Sequence, residues 1–284
     1  MQWRMAMVLA NLKVTSSDRW TRSDAYDRLD PSEKVAVSYF LGMVQAELTA
    51  VLALGYTHLV HVDALLKEAG MPLGGKRPDF LALSVPSKGP TVFGATVEAK
   101  GRTNGFDKTA LDKAKRQARM IPTIRGIGKP ETVASEAYFN DAEEWSSVLE
   151  DPEFASEEMQ VGVESYLVAY YRTVIQAGRE SATWRQEGDE FAFDVPAFPF
   201  AIRLPKALVD GFDLSVRLNR TEREVVRPLL LAYWTLTSDV SVRPDSLVQL
   251  VPSDVDAVEV FSAFERDEQS TQVKNATVKE GRIE

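Results

Sequence analysis

Three side chains in the first half of the sequence have the chemistry to act on a phosphodiester. Asp79 follows Pro78, and after eighteen intervening residues the chain reads Glu98-Ala99-Lys100. Paired carboxylates can hold a divalent cation, and a lysine beside them can help to position and polarise an attacking water. An ordinary exposed hairpin with a Glu and a Lys on its wet face is the alternative explanation of the same residues.

Alternation in the flanking segments explains how these side chains could meet. Residues 90–100 place Glu98 and Lys100 on the same face of a strand, because side chains two residues apart point the same way. Residues 77–83 predict a second short strand, and residues 85–89 supply Pro, Ser and Gly for a turn. The sequence therefore predicts an antiparallel hairpin that brings the two carboxylates and the lysine together.

One carboxylate stands alone in an apolar segment upstream. Glu47 is the only formally charged residue between Val35 and Val62, inside a helix predicted to begin at Pro31. A helix that is apolar around most of its circumference is expected to be buried, where a carboxylate needs a cation, a donor or a proton. Glu47 is therefore a candidate further metal ligand. Pairing with a buried Arg, or a place on a narrow polar stripe, would also satisfy it. A membrane-spanning helix is disfavoured by the polar residues around Glu47.

Positive charge is concentrated around the candidate carboxylates. Residues 76–129 contain twelve Lys or Arg and four acids, a net charge of +8, within a chain of net charge −9. Residues 131–190 contain fifteen acids and three basic residues, a net charge of −12. A basic zone around the site favours a polyanionic substrate. The alternative is a basic helix balanced by the acidic segment folding against it.

A basic helix is predicted directly after the hairpin. Asp107 can cap residues 108–120, in which Lys113 and Gln117 lie four apart on one face. Such a face could contact phosphates, and Gln117 could orient water or substrate, although a helix that is simply solvated gives the same pattern. The candidate substrate-binding residues are Arg102, Lys113, Arg116 and Gln117.

The order of these elements resembles the core of the PD-(D/E)XK phosphodiesterase superfamily, the restriction-endonuclease-like fold. A helix with one acid is followed by a strand over 57–64, the Asp79 strand, the Glu98-Ala99-Lys100 strand, a Lys/Gln helix and a strand near 132–139. The resemblance covers roughly residues 30–140. The matching residues are Pro78-Asp79, Glu98-Ala99-Lys100, Glu47 and Gln117.

This resemblance implies an α/β fold with a mixed central sheet flanked by helices. It implies that Asp79 and Glu98 bind Mg²⁺ or Mn²⁺, with the carbonyl of Ala99 as a further ligand. Lys100 would act on the attacking water, and Glu47 would complete the metal shell. The implied reaction is hydrolysis that leaves a 5′-phosphate and a 3′-hydroxyl. DNA is favoured over RNA as the substrate, and bacterial restriction or phage defence as the setting.

Two readings from other classes stay open. The chain could be a catalytically silent nuclease-fold module that binds nucleic acid or a protein partner. It could also be an acidic interaction or immunity protein that never touches nucleic acid. The complete set of Asp79, Glu98 and Lys100 favours the enzyme. A homodimer, or a complex with a partner subunit, would be compatible with it.

The remaining sequence predicts an extension without a recognisable motif. A nuclease-like core is expected over residues 1–150, an α+β extension or module over 151–265, and a disordered polar tail over 266–284. Within the extension, residues 157–178 predict a helix and residues 190–218 predict two or three strands. Thr221 and Glu224 fit a capping box, in which the Thr caps a helix over 225–236.

Composition and the histidines limit the remaining possibilities. The chain of 284 residues has no Cys, which excludes disulfides and thiolate metal sites. No signal peptide is recognisable, so a cytoplasmic location is expected. His58 and His61 would face opposite sides of a strand with no third ligand nearby, and both are expected to be structural.

Overall fold

The chain folds as an α/β protein. The computed structural model describes residues 2–71, 75–85, 93–120, 123–124, 131–150, 158–159, 162–195, 198–238 and 247–252. Its helices are α1 Gln2–Asn11, α2 Asp24–Arg28, α3 Pro31–Leu52, α4 Val62–Glu68, α5 Lys108–Ala118, α6 Val163–Glu180, α7 Lys206–Arg217, α8 Arg220–Val226 and α9 Pro228–Leu236. Its strands are β1 Leu12–Val14, β2 Trp20–Arg22, β3 His58–His61, β4 Phe80–Ser84, β5 Phe93–Gly101, β6 Thr123–Ile124, β7 Glu131–Phe139, β8 Trp145–Glu150, β9 Glu158–Met159, β10 Arg185–Glu187, β11 Glu190–Asp194, β12 Phe200–Pro205 and β13 Gln249–Pro252.

The central sheet has five strands in the order β3-β4-β5-β7-β8. Strands β4 and β5 pair antiparallel with Phe80 opposite Val97, so the predicted antiparallel pairing is confirmed. Of the turn predicted over 85–89, residues 86–89 lie outside the described residues. Strands β5 and β7 pair parallel, and the helix α5 lies between them in the sequence as the crossover. Every other pairing in the sheet is antiparallel. The expectation of a mixed sheet flanked by helices is therefore confirmed.

Helix α3 covers one face of this sheet. It begins with a capping box in which the Asp30 side chain accepts from amides of the first turn and the Glu33 carboxylate accepts from the Asp30 amide. Met43, Ala46 and Ala50 of α3 form one core cluster with β5 residues such as Val97 and Ala99. Strand alternation then directs the residues between them, Glu98 among these, to the opposite face.

Helix α5 covers that opposite face. Asp107 caps it as predicted, because its side chain accepts from the amides of Thr109 and Ala110. Leu111 and Ala114 pack against Ala134 of β7. The Thr96 hydroxyl donates a 2.7 Å hydrogen bond to the Ala118 carbonyl, which fixes the end of α5 to β5.

Helix α3 is apolar but only partly buried. Among the described helices, it alone is long and apolar enough to cross a membrane by length and composition, yet it packs on the sheet as a core helix does. Its outer surface exposes Val35, Leu48 and Leu52, the last at 79%. Glu47 also lies on this exposed side. The expectation that Glu47 is a buried carboxylate is therefore wrong, because hydropathy indicated an apolar helix but not which of its sides docks.

Strand β3 is shorter than the sequence predicts. It ends at His61, and the chain enters α4 at Val62 instead of continuing as a strand to residue 64. The amide of Val62 still donates a 3.0 Å hydrogen bond to the carbonyl of Asp79, which anchors the chain just before β4. The strand near 132–139 is confirmed as β7.

The first part of the extension differs from its prediction in two places. Helix α6 begins at Val163 behind the N-cap Gly162, later than the predicted residue 157. Residues 206–217 form helix α7 instead of a strand, because Leu208, Val209 and Phe212 make one apolar face at helical spacing. The four-stranded sheet β10-β11-β12-β13 is antiparallel throughout.

The predicted capping box at Thr221 is displaced by two residues. Asn219 is the N-cap of α8, and Glu222 completes the box. Glu224, the predicted box partner, accepts hydrogen bonds from the amide and hydroxyl of Ser165. The helix predicted over 225–236 is interrupted at Arg227, whose φ of 52° is left-handed and separates α8 from α9.

The extension shares a core with the central sheet. One buried cluster joins Leu65 of α4 and Leu81 of β4 to residues of α6, β11, β12, α7 and α9. The buried hydroxyl of Tyr166 in α6 lies 2.8 Å from the carbonyl of His58 and 2.9 Å from that of Leu81, and it donates to them. At the predicted boundary, Glu150 ends β8 and residue 151 lies outside the described residues, as does the tail over 266–284.

Candidate active site

The structure brings Asp79, Glu98 and Lys100 together at the start of β4. The Glu98 Oε2 atom accepts a 3.1 Å hydrogen bond from the Asp79 amide. The amide of Ala99 donates a 2.9 Å hydrogen bond to Oδ2 of Asp79. The Lys100 ammonium forms an ion pair with Oε1 of Glu98. The hairpin register explains this meeting, since Asp79 comes one residue before Phe80, which pairs with Val97.

Glu98 lies in an environment that disfavours its charged form. Its side chain is only 1% exposed, and burial raises its pKa to about 7, with the Asp79 carboxylate adding to the increase. The Lys100 ammonium opposes this increase but does not cancel it. Asp79 is only partly buried. The pair therefore has a deficit of positive charge, which a proton or a bound cation would correct.

The donor set fits a hard divalent cation with few protein ligands. Asp79 and Glu98 supply two carboxylates, and Mg²⁺ is typically held by one or two carboxylates while waters and phosphate oxygens fill its other positions. Across the described ranges, no group of three or more Asp, Glu or His side chains is arranged to hold a metal. The arrangement therefore suits a two-carboxylate magnesium site better than a closed protein cage. The Ala99 carbonyl as a further ligand stays a prediction.

A cleft of about 460 Å³ opens beside Asp79. It is lined by Tyr39, His61, Asp63, Ala64, Gly75, Lys76, Arg77, Pro78, Asp79 and Gln117. Gln117, for which the sequence predicts contact with water or substrate, lies in this lining. Lys76 and Arg77 bring positive charge to this lining, although Arg77 forms an ion pair with Asp63. Of the carboxylate pair, Asp79 lines the cleft, whereas Glu98 and Lys100 are not among its lining residues.

His61 is a cleft residue that sequence reasoning missed. Its ring lies 4.5 Å from the ring of Phe80, and it shares the cleft with Asp79. His58 follows the structural expectation, because it is 1% exposed among Tyr170, Tyr171 and Tyr233. Burial lowers the pKa of His58 to about 3, so it is neutral at physiological pH. The position of His61 at the end of β3 could have predicted its place in the cleft, because His61 pairs with Phe80, the residue after Asp79.

The structure does not bring Glu47 to the carboxylate pair. Helix α3 packs on the β5 face that carries Val97 and Ala99, whereas Glu98 projects from the other face. Glu47 is exposed and does not line the cleft. Tyr39, two turns earlier in α3, is the α3 residue found there. Glu47 as a metal ligand is therefore not supported by the geometry.

The predicted substrate-binding cations lie outside the cleft lining. Lys113 and Arg116 are exposed on α5, on the helix that carries Gln117. Arg102 donates a 2.7 Å hydrogen bond to Asp107 at the start of the same helix. Lys115 is paired with Glu150 of β8, so the acidic segment balances one charge of the helix. Lys113 and Arg116 thus stay available to a polyanion.

Comparison of the chain with protein-family models, with curated proteins and with solved structures gave no match.

Proposed function

We propose that this protein is a metal-dependent nuclease with a restriction-endonuclease-like core, which hydrolyses phosphodiester bonds and prefers DNA to RNA. The observation that carries the proposal is the contact among Asp79, Glu98 and Lys100. The two carboxylates lie close enough for Asp79 to raise the pKa of Glu98, and the lysine lies against Glu98. Two carboxylates and a lysine in contact are the residue types that metal-assisted phosphodiester cleavage needs.

The order of the elements around these residues supports the proposal. Helix α3, strands β3, β4 and β5, helix α5 and strand β7 follow each other in the sequence, and the two helices sandwich the sheet. Fold alone does not establish an activity, because one fold hosts many functions. The fold contributes by holding Asp79 and Glu98 on two paired strands, so that their spacing does not depend on a loop.

Asp79 and Glu98 would hold the cation, which supplies charge neutralisation at the phosphate and a more acidic water. Lys100 holds its ammonium beside Glu98, where it can orient an attacking water and stabilise negative charge on the phosphate. Gln117 borders the same cleft and can hydrogen-bond a water or a phosphate oxygen. The expected products carry a 5′-phosphate and a 3′-hydroxyl.

The charge of the surrounding surface supports a polyanionic substrate. Lys76 is exposed in the cleft lining, and Lys113, Arg116 and Arg119 are exposed on α5. Such cations release counterions from nucleic acid when they bind phosphates. A cytoplasmic location and a role in bacterial restriction or phage defence, alone or with a partner subunit, belong to the same proposal.

Cleavage assays with matched variants test the proposal. Supercoiled plasmid, linear DNA and single-stranded RNA are incubated with Mg²⁺, Mn²⁺ or EDTA, using wild type, Glu98→Gln and Lys100→Ala. Metal-dependent cutting that both variants lose is the expected result, and plasmid should be cut more readily than RNA. Asp210→Asn is the matched control, because Asp210 is an exposed acid that pairs with Lys206 and does not line the cleft.

Three other results would count against the proposal. Cutting that persists in both variants would place the activity elsewhere or in a contaminant. Metal-independent binding of nucleic acid without any cutting would favour the catalytically silent module. Absence of both cutting and binding at low salt would favour an interaction protein that never touches nucleic acid.

A further inference from the structure

Glu136 is a buried carboxylate with one oxygen left without a partner. The residue is fully buried in β7. Its Oε1 atom accepts a 2.6 Å hydrogen bond from the amide of Asp107. Its Oε2 atom has no hydrogen-bond partner among the described residues. Burying an unpaired carboxylate oxygen is costly, so this atom is an acceptor that a nearby donor would stabilise.

Lys100 is the neighbour of Glu136 across the parallel strands. The register pairs Lys100 of β5 with Glu136 of β7, and Glu98 with Ala134. Residues in register on paired parallel strands project from the same face, with the strands about 4.8 Å apart. The flexible four-carbon stem of a lysine spans that distance. Glu136 is therefore within the reach of the Lys100 ammonium.

The present partner of Lys100 is the carboxylate that a cation would need. Glu98 uses Oε2 to accept from the Asp79 amide and Oε1 to hold the Lys100 ammonium. A cation that binds Glu98 competes directly with the ammonium for Oε1. The lysine must then find another acceptor, or lose an ion pair in a site where Glu98 is almost fully buried.

We propose that Glu136 is a positioning residue, whose free oxygen receives the Lys100 ammonium when a divalent cation occupies Asp79 and Glu98. The inference rests on the cation site of the proposed function, but it does not depend on the reaction or on the substrate. Lys100 would alternate between two carboxylates on neighbouring strands. Glu136 would keep the Lys100 ammonium close to the cation after Glu98 has exchanged partners.

The other groups near Glu136 are already engaged. Asp107 accepts from the Thr109 and Ala110 amides through Oδ1 and from Arg102 through Oδ2. Burial raises the pKa of Glu136, and this increase is opposed by the Asp107 amide and, after it, by the positive charge of Arg102. Its guanidinium is, however, held by Asp107 at 2.7 Å. Lys100 is thus the cation whose present partner, Oε1 of Glu98, would be taken by the metal.

The test is a double-mutant cycle on cation affinity, measured by calorimetry with Mn²⁺ and without nucleic acid. Glu136→Gln keeps an oxygen for the Asp107 amide but removes the charge that would hold the lysine. We expect Glu136→Gln to weaken Mn²⁺ binding about tenfold, as expected for loss of a charge-assisted hydrogen bond. Lys100→Met removes the competitor and should tighten binding. In the Lys100→Met background, Glu136→Gln should then change nothing.

Each alternative result has a distinct meaning. An equal loss of affinity in both backgrounds would show that Glu136 only supports the start of α5, and it would overturn the inference. Unchanged affinity in Glu136→Gln, with wild type binding Mn²⁺, would overturn the inference and leave the proposed cation site intact. No Mn²⁺ binding by wild type would overturn the cation site and the inference together. If Glu136→Gln does not fold, Lys100→Met alone carries the test: tighter Mn²⁺ binding than wild type is the expected result, and unchanged or weaker binding would overturn the inference.

Discussion

Asp79 and Glu98 hold each other in place through the main chain of the opposite strand. Glu98 accepts from the Asp79 amide at 3.1 Å, and Asp79 accepts from the amide of Ala99, the residue after Glu98, at 2.9 Å. Each carboxylate is thus fixed by a backbone donor that the strand pairing itself positions. Two acids are held in fixed proximity at a cost in electrostatic repulsion. Structures that carry such a cost usually do so at functional sites.

Replacing Glu98 with Gln should stabilise the protein at alkaline pH in the presence of EDTA. The folded-state pKa of Glu98 is about 7, raised from 4.5. The contribution of Glu98 to the free energy of unfolding is therefore fully present below pH 4.5, and it is lost as the pH rises to about 7. The loss above that pH is up to about 3 kcal/mol, since one pKa unit corresponds to about 1.4 kcal/mol.

Urea unfolding of wild type and Glu98→Gln at about pH 5 and about pH 8 measures this effect. The variant should gain stability over wild type as the pH increases. A variant that is less stable than wild type at both pH values would show that Glu98 is charged and well compensated in the folded protein. Glu187→Gln, an exchange of the same type outside the cleft, is the control.

Cation binding should release a proton near neutral pH. Glu98 is partly protonated at pH 7 because burial and Asp79 raise its pKa, and a metal-bound carboxylate must be ionised. We expect release of about half a proton per Mn²⁺ at pH 7 and almost none at about pH 9. Calorimetry in two buffers of different ionisation enthalpy gives this number directly. Release that does not change with pH would assign the proton to another group.

The exposed position of Glu47 predicts that its charge is dispensable. Glu47→Gln should leave Mn²⁺ affinity and cleavage within about twofold of wild type, as surface substitutions usually do. Asp79→Asn, the same chemical change at the cleft, should abolish both. A loss of Mn²⁺ binding in Glu47→Gln would show that α3 moves when metal binds, and it would restore the prediction made from the sequence.

Lys76 should contribute to substrate binding through its charge alone. It is exposed in the cleft lining, and no acid among the described residues forms an ion pair with it. Lys76→Gln should weaken binding to DNA of any sequence and reduce the slope of log K against log salt by about one. Lys206→Gln, far from the cleft in the sequence and paired with Asp210, should leave the slope unchanged. Equal effects of the two variants would remove Lys76 from the substrate path.

The buried His58 should make the fold sensitive to acid. Burial lowers its folded-state pKa to about 3 from 6.5, so the unfolded chain binds a proton first as the pH falls. Stability is unaffected above pH 6.5 and decreases below it, by about 2 kcal/mol at pH 5. In His58→Asn, which has no titrating ring, stability should depend less on pH across this range. Thermal unfolding of both proteins between about pH 5 and 8 measures the difference.

The central elements could be predicted because local signals and tertiary structure agree there. Helix α3 begins at Pro31 and Asp107 caps α5, as the sequence predicts, and the alternation predicted over 90–100 gives the face of Glu98 and Lys100. The meeting of Asp79 with Glu98 followed from strand pairing alone. Consistency between local propensity and packing makes such segments readable.

Other positions depended on information that local sequence does not contain. The docking side of α3 is decided by the sheet it meets, so the exposure of Glu47 was not predictable from its apolar neighbours. Asn219 and Thr221 are each followed three residues later by a Glu, so both fit the sequence pattern of a capping box. In the structure Asn219 forms the box, and Glu224, the partner that Thr221 would need, contacts Ser165 instead. His61 reaches the cleft because β3 stops there, whereas strand alternation was assumed to continue. The unpaired oxygen of Glu136 has no counterpart in any motif.

The hydroxyl of Tyr166 has a consequence for how this protein could evolve. It ties α6 to the carbonyls of His58 and Leu81, on the two strands that lead to and from Asp79. The residues that carry the chemistry are thus braced by a helix that follows them by many residues in the chain. Recombination that exchanged the first half alone would separate this brace from its strands. The two halves are therefore expected to be inherited together. In homologues, sequence changes should leave the contact between this tyrosine and the two strands intact.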